Sequence, residues 1–261
     1  MRVATWNING LRARLAYLLD WLADRQPDLV GLQELKMTDE AFPAQAFEEL
    51  GYRVLTHGQK AWNGVAILSR GPVEATCIGL PGQEAMGARL LSAAAGPLSF
   101  TTVYVPNGKD LAHEDFARKL HWLDDLAGYL EGLISRQPLA IVCGDLNLCP
   151  GPLDSWGGEA FEGRIFHTEE ERVRFQRLRA LGLMDVYRES FPEGREFSWW
   201  DYRAGSFPRG RGLRIDFLLA TPGVHAGLSS VFIDREYRKK RNDLTASDHA
   251  PVVAEFVVGE S

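Results

Sequence analysis

The chain has 261 residues, 45% of them hydrophobic and 25% charged, with a formal net charge of −6 at neutral pH. That size and balance exclude a disordered chain and predict one large domain, residues 1–261, with a substantial core. No apolar run approaches the roughly 18 residues needed to span a bilayer, and the opening Met1 to Trp6 lacks the apolar centre of a signal peptide. A cytoplasmic protein with no membrane partner is expected. Its three cysteines, Cys77, Cys143 and Cys149, are odd in number and contain no CxxC pair, which argues against a disulfide framework or a zinc site.

Residues 2–8, Arg2-Val3-Ala4-Thr5-Trp6-Asn7-Ile8, alternate as a strand does, with Asn7 and Asn9-Gly10 at the exit. Leu11, Leu15, Leu18, Leu19 and Leu22 recur at helical spacing and predict an amphipathic helix ending before Pro27. Residues 29–34 read as a second short strand ending in Gln33-Glu34. Parallel pairing of the two strands would set Asn7 and Glu34 at corresponding ends. Residues 52–56, 64–69, 88–94 and 98–105 are further strand candidates, and their short connections predict antiparallel pairing. A helix is expected from about 113 to 134, with Phe116, Leu120, Leu123, Leu130 and Ile134 facing the core and Trp122 and Tyr129 widening that stripe.

The apolar run Leu139-Ala140-Ile141-Val142-Cys143 reads as a buried strand that ends in Gly144-Asp145-Leu146-Asn147. Backbone extended past Gly144 would point Asp145 and Asn147 to one face, at the strand end where layered α/β proteins meet their ligands. An Asx turn, with the aspartate bonding its own backbone, stands beside that reading with equal weight. Residues 150–166 are rich in Gly and Pro and predict a long ordered loop. Thr168-Glu169-Glu170-Glu171 has capping-box spacing, so a helix should start there and run to about Leu181. Residues 213–219 and 251–258 read as the last main strands.

Glu34, Asp145, Asp216 and Asp248 each lie at or inside an apolar strand signal. Carboxylates beside core strands cost free energy unless partnered, so their convergence points to a cation or a proton-transfer system. Magnesium suits such oxygen donors and makes phosphodiester hydrolysis accessible. Ser247-Asp248-His249 adds an imidazole, and Asp216 is the obvious carboxylate to orient it. Positive charge is concentrated: residues 203–214 carry +4 and residues 235–241 another +4, which leaves −14 on the remainder. A polyanion could be held at these runs, although solvated loops are the plainer reading of either one alone.

Asn7, Gln33-Glu34, Tyr104-Val105-Pro106-Asn107-Gly108, Gly144-Asp145-Leu146-Asn147, Ser198-Trp199-Trp200-Asp201-Tyr202-Arg203, Gly212-Leu213-Arg214-Ile215-Asp216 and Ser247-Asp248-His249 resemble, in order and spacing, the motif series of exonuclease III-type apurinic/apyrimidinic (AP) endonucleases. The resemblance runs from Arg2 to Phe256, and 57–60 and 63–66 extend it. It implies an α/β fold, a four-layered sandwich of two packed mixed β-sheets flanked by α-helices. It also implies Glu34 as principal metal ligand supported by Asn7 and Asp248, with magnesium bound and manganese as a substitute. Asp145 would activate the attacking water, Asn147 would orient the Asp145 carboxylate, and Tyr104, Asn107 and His249 would contact the scissile phosphate, with Asp216 behind His249. Leu35 and Phe217 depart from the family pattern, which often has threonine and histidine there.

Cleavage of the backbone 5′ to abasic sites, with 3′-to-5′ exonuclease and 3′-end-cleaning activity, is the activity implied. The partner is then double-stranded DNA with abasic sites or blocked 3′ ends, met by a monomer that is nucleoid-associated in a bacterial cell. A general magnesium-dependent nuclease or phosphoesterase is the alternative, and a noncatalytic damage-binding protein is a third reading. The choice of an abasic site rests on Trp199, Trp200, Phe207 and Leu213 around the first basic run, where a base-free sugar could enter an aromatic pocket. Arg209 and Arg211 would hold flanking backbone. Alternation predicts that at least one of the two tryptophans is core.

Overall fold

The computed structural model describes residues 1–241 and 243–257. β1 (Arg2–Asn7) leads through α1 (Leu11–Arg25) to β2 (Leu29–Gln33), and the two strands pair in parallel with Asn7 opposite Gln33. The helix stops at Gln26, whose left-handed backbone returns its N–H to the Leu22 carbonyl. A short α2 (Ala44–Glu48) precedes β3 (Arg53–His57) and β4 (Val65–Ser69), which pair antiparallel, β4 also running antiparallel to β2. β5 (Glu74–Ile78), β6 (Leu90–Ala95) and β7 (Leu98–Tyr104) form an antiparallel run in a different sheet. The expected antiparallel middle is therefore divided between two sheets.

α3 (Glu114–Arg136) crosses over to β8 (Ala140–Asp145), which lies parallel to β7 with Asp145 opposite Tyr104. α4 (Glu169–Ala180) opens with the expected capping box, Thr168 and Glu171 each bonding the other's backbone N–H. β9 (Met184–Asp185), α5 (Val186–Ser190), β10 (Asp216–Ala220), α6 (Pro222–His225), β11 (Leu228–Ile233) and β12 (Val252–Phe256) complete the chain order. β10 runs antiparallel to β8 and sets Asp216 opposite Asp145. Residue 258 of the last expected strand lies outside the described residues.

One sheet has the order β11-β12-β1-β2-β4-β3 and the other β5-β6-β7-β8-β10-β9. Val3, Ile67, Leu91, Phe100, Ile141 and Val252 pack between the sheets. Trp6, Leu18, Trp21 and Phe47 seal α1 and α2 against the first sheet, and Trp122, Leu126, Leu130 and Phe175 seal α3 and α4 against the second. The result is the four-layered sandwich. β5 and β11 escaped the sequence reading because both are edge strands with alternating exposure, so neither shows a continuous apolar run. Among the described residues no helix is long and apolar enough to cross a membrane.

Two glycines fix how closely strands approach. A Cβ on Gly31 would lie 2.6 Å from Cys143 Sγ and 2.8 Å from Thr102 Oγ1, so β2 can face the second sheet only without a side chain there. Beside it Gln33 Nε2 donates to Thr5 Oγ1 at 2.9 Å and Thr102 Oγ1 at 2.8 Å, joining the sheets through a buried polar bridge. Gly144 has φ +141°, and a Cβ would sit 1.9 Å from the Val103 carbonyl oxygen. Gly144→Ala should therefore lower stability by about 3 kcal/mol, read as a reduced urea midpoint; an unchanged midpoint would contradict this account of the strand.

Candidate active site

The parallel pairs β1–β2 and β7–β8 end side by side at one end of the sandwich, and the polar residues at those ends meet. Asn7 Nδ2 donates to Glu34 Oε1 at 2.8 Å and to Asp145 Oδ2 at 2.9 Å, so one amide joins carboxylates from both sheets. Glu34 follows β2 with φ +55°, a left-handed conformation unfavourable for a glutamate and of the kind that collects at functional sites. Its Oε2 is 2.8 Å from Lys36 Nζ, which also reaches Asn9 Oδ1 at 2.5 Å.

Asp145 adopts the Asx turn rather than continuing the strand. Its Oδ1 accepts the Asn147 N–H at 2.9 Å, and Asn147 has φ +50°. The turn still delivers Asn147 to the site, where its Nδ2 donates to the Val105 carbonyl at 2.9 Å and its Oδ1 accepts from Asn107 Nδ2 at 3.4 Å. His249 Nδ1 lies 2.9 Å from Asp216 Oδ2, and its Nε2 faces Asp145 Oδ2 at 3.9 Å. Ser198 Oγ donates to Asp216 Oδ2 at 2.6 Å and accepts the Asp216 N–H at 3.1 Å, holding the carboxylate behind the imidazole. Asp248 stands to one side: Oδ1 accepts from Asn9 Nδ2 at 2.8 Å and Oδ2 from Trp199 Nε1 at 3.0 Å. Tyr104 packs its ring 4.9 Å from the Arg89 guanidinium.

Burial and the Asp216 charge push the Asp145 carboxyl up to about 8. Burial opposes charging His249, but Asp216, by charge and hydrogen bond, helped by Asp248 and Asp145, raises the imidazole to about 10. Glu34 is buried too, yet Lys36 and Asn7 hold its carboxyl below the usual value. Tyr104 is raised well above its ordinary value by burial and then by the charges of Glu34 and Asp145, so its phenol stays a donor. Glu34, Asp145 and His249 offer ligand atoms within 4.8 Å of one another. This donor set fits a divalent cation: two carboxylates crowd a buried site, and the carboxylate most penalised for its charge is the one a cation would relieve.

One member of the expected aromatic pocket is displaced from it. Trp200 is fully buried in the core between the sheets, edge-to-face with half-buried Phe207 at 4.9 Å, whereas Leu213 packs beside Trp199 in a small separate cluster. Trp199 alone of the two tryptophans reaches the site, through Asp248. The basic runs are corrected as well. Arg214 is buried between Asp154 and Asp185, Arg203 pairs with Asp201 at 2.7 Å, and Arg238 bonds the carbonyls of Trp200 and Asp248. Arg209 and Arg211 are exposed, Arg211 lying over the Trp156 ring at 5.2 Å. Formal charge counted along a sequence overstates surface charge when cations face inward. Sequence reading passed over Asn9, Lys36, Ser198 and Arg89. Asn9 and Ser198 lay inside or beside quoted motifs, whereas nothing local marked Lys36 or Arg89.

The sequence model of the Endonuclease/Exonuclease/phosphatase family matches residues 4–249, and the chain belongs to that family. Exodeoxyribonuclease III of Haemophilus influenzae is 37% identical over 269 residues, covering 98% of this chain and all of that one. A Neisseria 3′ phosphatase, NExo, solved with a product DNA hairpin, superposes with TM-score 0.95 at 37% identity, covering 99% of this chain and 100% of that one. An AP endonuclease from Archaeoglobus fulgidus superposes with TM-score 0.93 at 33% identity, again covering 99% and 100%. Within the family this chain is a hydrolytic nuclease of the exonuclease III type.

Asp216→Asn should lower the His249 pKa from about 10, because the largest favourable charge and its hydrogen bond go while burial remains and only Asp248 and Asp145 still favour the charged ring. Imidazole NMR titration measures it, and a histidine still titrating near 10 would contradict the assignment.

Proposed function

We propose that the protein hydrolyses the DNA backbone on the 5′ side of abasic sites, leaving a 3′-hydroxyl, and also acts on 3′ ends by exonuclease and end-cleaning cleavage. The observation that carries this reading is the Asn7 bridge between Glu34 and Asp145, with the His249–Asp216 pair facing the same carboxylate. Full-length similarity to an exodeoxyribonuclease III and to an AP endonuclease supports the substrate.

Magnesium, with manganese as a substitute, would be held by Glu34 with Asn7 and Asp248 supporting the site. When bound it supplies positive charge against the phosphate and the carboxylates. Asp145, oriented by Asn7 and by the Asn147 N–H, accepts the proton of the attacking water, and the burial and Asp216 charge that raise its carboxyl make it a stronger base than an exposed aspartate. Asn147 and Asn107 present amides to the phosphate, Tyr104 donates its phenolic proton, and protonated His249 faces a non-bridging oxygen while Asp216 and Ser198 fix its ring. Arg209 and Arg211 hold the flanking strand, and Trp199 borders the lesion. All these groups come from one chain, which supports action as a monomer. A chromosomal substrate puts the work in the cytoplasm, at the nucleoid in a bacterial cell.

A second reading gives most of the activity to 3′ ends. It is favoured by the packing of Trp200 into the core between the sheets, which removes it from a pocket for a base-free sugar, and by the similarity to a 3′ phosphatase. Two duplexes separate the readings, one with an internal abasic analogue and one with a 3′-phosphate. On the favoured reading both are cut, the internal site rapidly, and chelator abolishes cleavage. An untouched internal site with rapid phosphate release establishes the second reading, and equal cutting of undamaged duplex returns a general nuclease. Asp145→Asn should reduce kcat by about 10²–10⁴-fold. Arg209→Ala with Arg211→Ala should weaken duplex binding and flatten its logarithmic salt dependence by about 2; an unchanged slope would remove these arginines from the interface.

A further inference from the structure

Lys119 lies on the inner face of α3 with its side chain wholly inaccessible to solvent, and the chemistry described above makes no use of it. Its ammonium donates to the backbone carbonyl of Asn147 at 2.6 Å, to that of Asn107 at 3.3 Å, and to Glu171 Oε1. Three donors thus meet three acceptors. The Glu171 carboxylate is equally committed: Oε1 also accepts the Phe166 N–H at 3.2 Å, and Oε2 accepts the Thr168 N–H at 3.1 Å and the Thr168 hydroxyl at 2.9 Å.

A buried ion pair is a weak source of stability, since apolar side chains of similar volume commonly serve as well. It does fix direction. Asn107 and Asn147 belong to different loops, after β7 and after β8, and the 3.4 Å contact between their side chains is long. Asn147 carries a left-handed backbone whose N–H is held by Asp145 from one side. Lys119 holds its carbonyl from the other, so both peptide groups flanking that residue are pinned.

We propose that Lys119 is a positioning residue of the hydrolytic site. Anchored by Glu171 at the start of α4, its ammonium clamps the two backbone carbonyls and thereby sets the Asn107 and Asn147 amides against the scissile phosphate. This rests on the reading that those amides contact the phosphate.

The test compares the full-length enzyme with Lys119→Met/Glu171→Gln, which removes both buried charges together and keeps a capping-box side chain at the start of α4. On whichever of the two duplexes the enzyme cuts, kcat should fall about 10- to 100-fold while KM stays within about 2-fold. In an Asn147→Ala background the same pair of changes should cost almost nothing further, because the clamp acts through that amide. If the pair is too unstable to purify, Lys119→Gln keeps a donor in place without the charge and should lower kcat about 3- to 10-fold at unchanged KM. An undiminished kcat, a loss that resides in KM, or full additivity with Asn147→Ala overturns the proposal. A fall in Asn147→Ala with none in the Lys119 variants sinks the clamp alone. Asn147→Ala at full activity sinks the reading of the site, and the clamp with it.

Discussion

One side-chain amide, Asn7 Nδ2, lies within hydrogen-bond reach of carboxylates from two different sheets, and the geometry of the catalytic end depends on that meeting. Two anions brought together in a poorly hydrated place repel, so the contact requires the sheets to be held at a fixed separation by something else. Gly31 permits the approach, and the buried Thr5–Gln33–Thr102 bridge defines it. The remaining charge is balanced from outside by Lys36 on Glu34 and by His249 on Asp145. The left-handed backbone at Glu34 belongs to the same set of constraints, since Gln33 points between the sheets and an extended residue after it would turn the carboxylate to the opposite face, away from the gap.

Charge on this protein has been divided between two tasks that look alike in a sequence. The run containing Arg203, Arg209, Arg211 and Arg214 reads as a single basic patch, yet its members face three ways: Arg214 inward to two aspartates, Arg203 sideways to Asp201, and Arg209 and Arg211 to solvent. Arg238 likewise secures carbonyls beside the site. With a net charge of −6, the surface as a whole does not attract a polyanion. Engagement therefore has to come from a few exposed cations placed next to the chemistry, which favours finding a particular site on DNA over coating it.

Much of this was legible in the sequence because the signals were strong and local. The apolar run into Gly144-Asp145, the leucine spacing after Gly10 and the capping box at Thr168 each specify an element by periodicity or hydrogen-bonding chemistry. Parallel pairing of two strands joined by one crossover helix was the condition for setting Asn7 and Glu34 at corresponding ends, and the strands do pair that way. Where local signals left alternatives open, the deciding information was not local. Alternation could say that one of Trp199 and Trp200 is buried, but only packing between the sheets selects Trp200. The choice between an extended strand and an Asx turn at Asp145 depends on what the carbonyls there can bond, and those partners are Val105, just after β7, and Lys119 on α3. Lys36 and Lys119 look like ordinary surface lysines until the fold places carboxylates beside them.

The loops that complete the site need directional anchors, because hydrophobic burial holds elements together without specifying the orientation of a turn. Two buried ionic groups provide them. Lys119 with Glu171 ties the loops after β7 and β8 to the start of α4, and Arg214 with Asp154 and Asp185 ties the loop after β8 to β9 and the entry of β10. The second group also holds backbone directly, the Arg214 N–H donating to the Asp154 carbonyl at 2.8 Å, two residues before Asp216. Each places a cation fully inside the protein, where an apolar residue would satisfy packing but leave carbonyls and carboxylates without donors. The arrangement is understandable if orientation at the phosphate, rather than stability, is what these residues secure: the amides on one side of Asp145 and the imidazole on the other are each set by an ion group one step behind them.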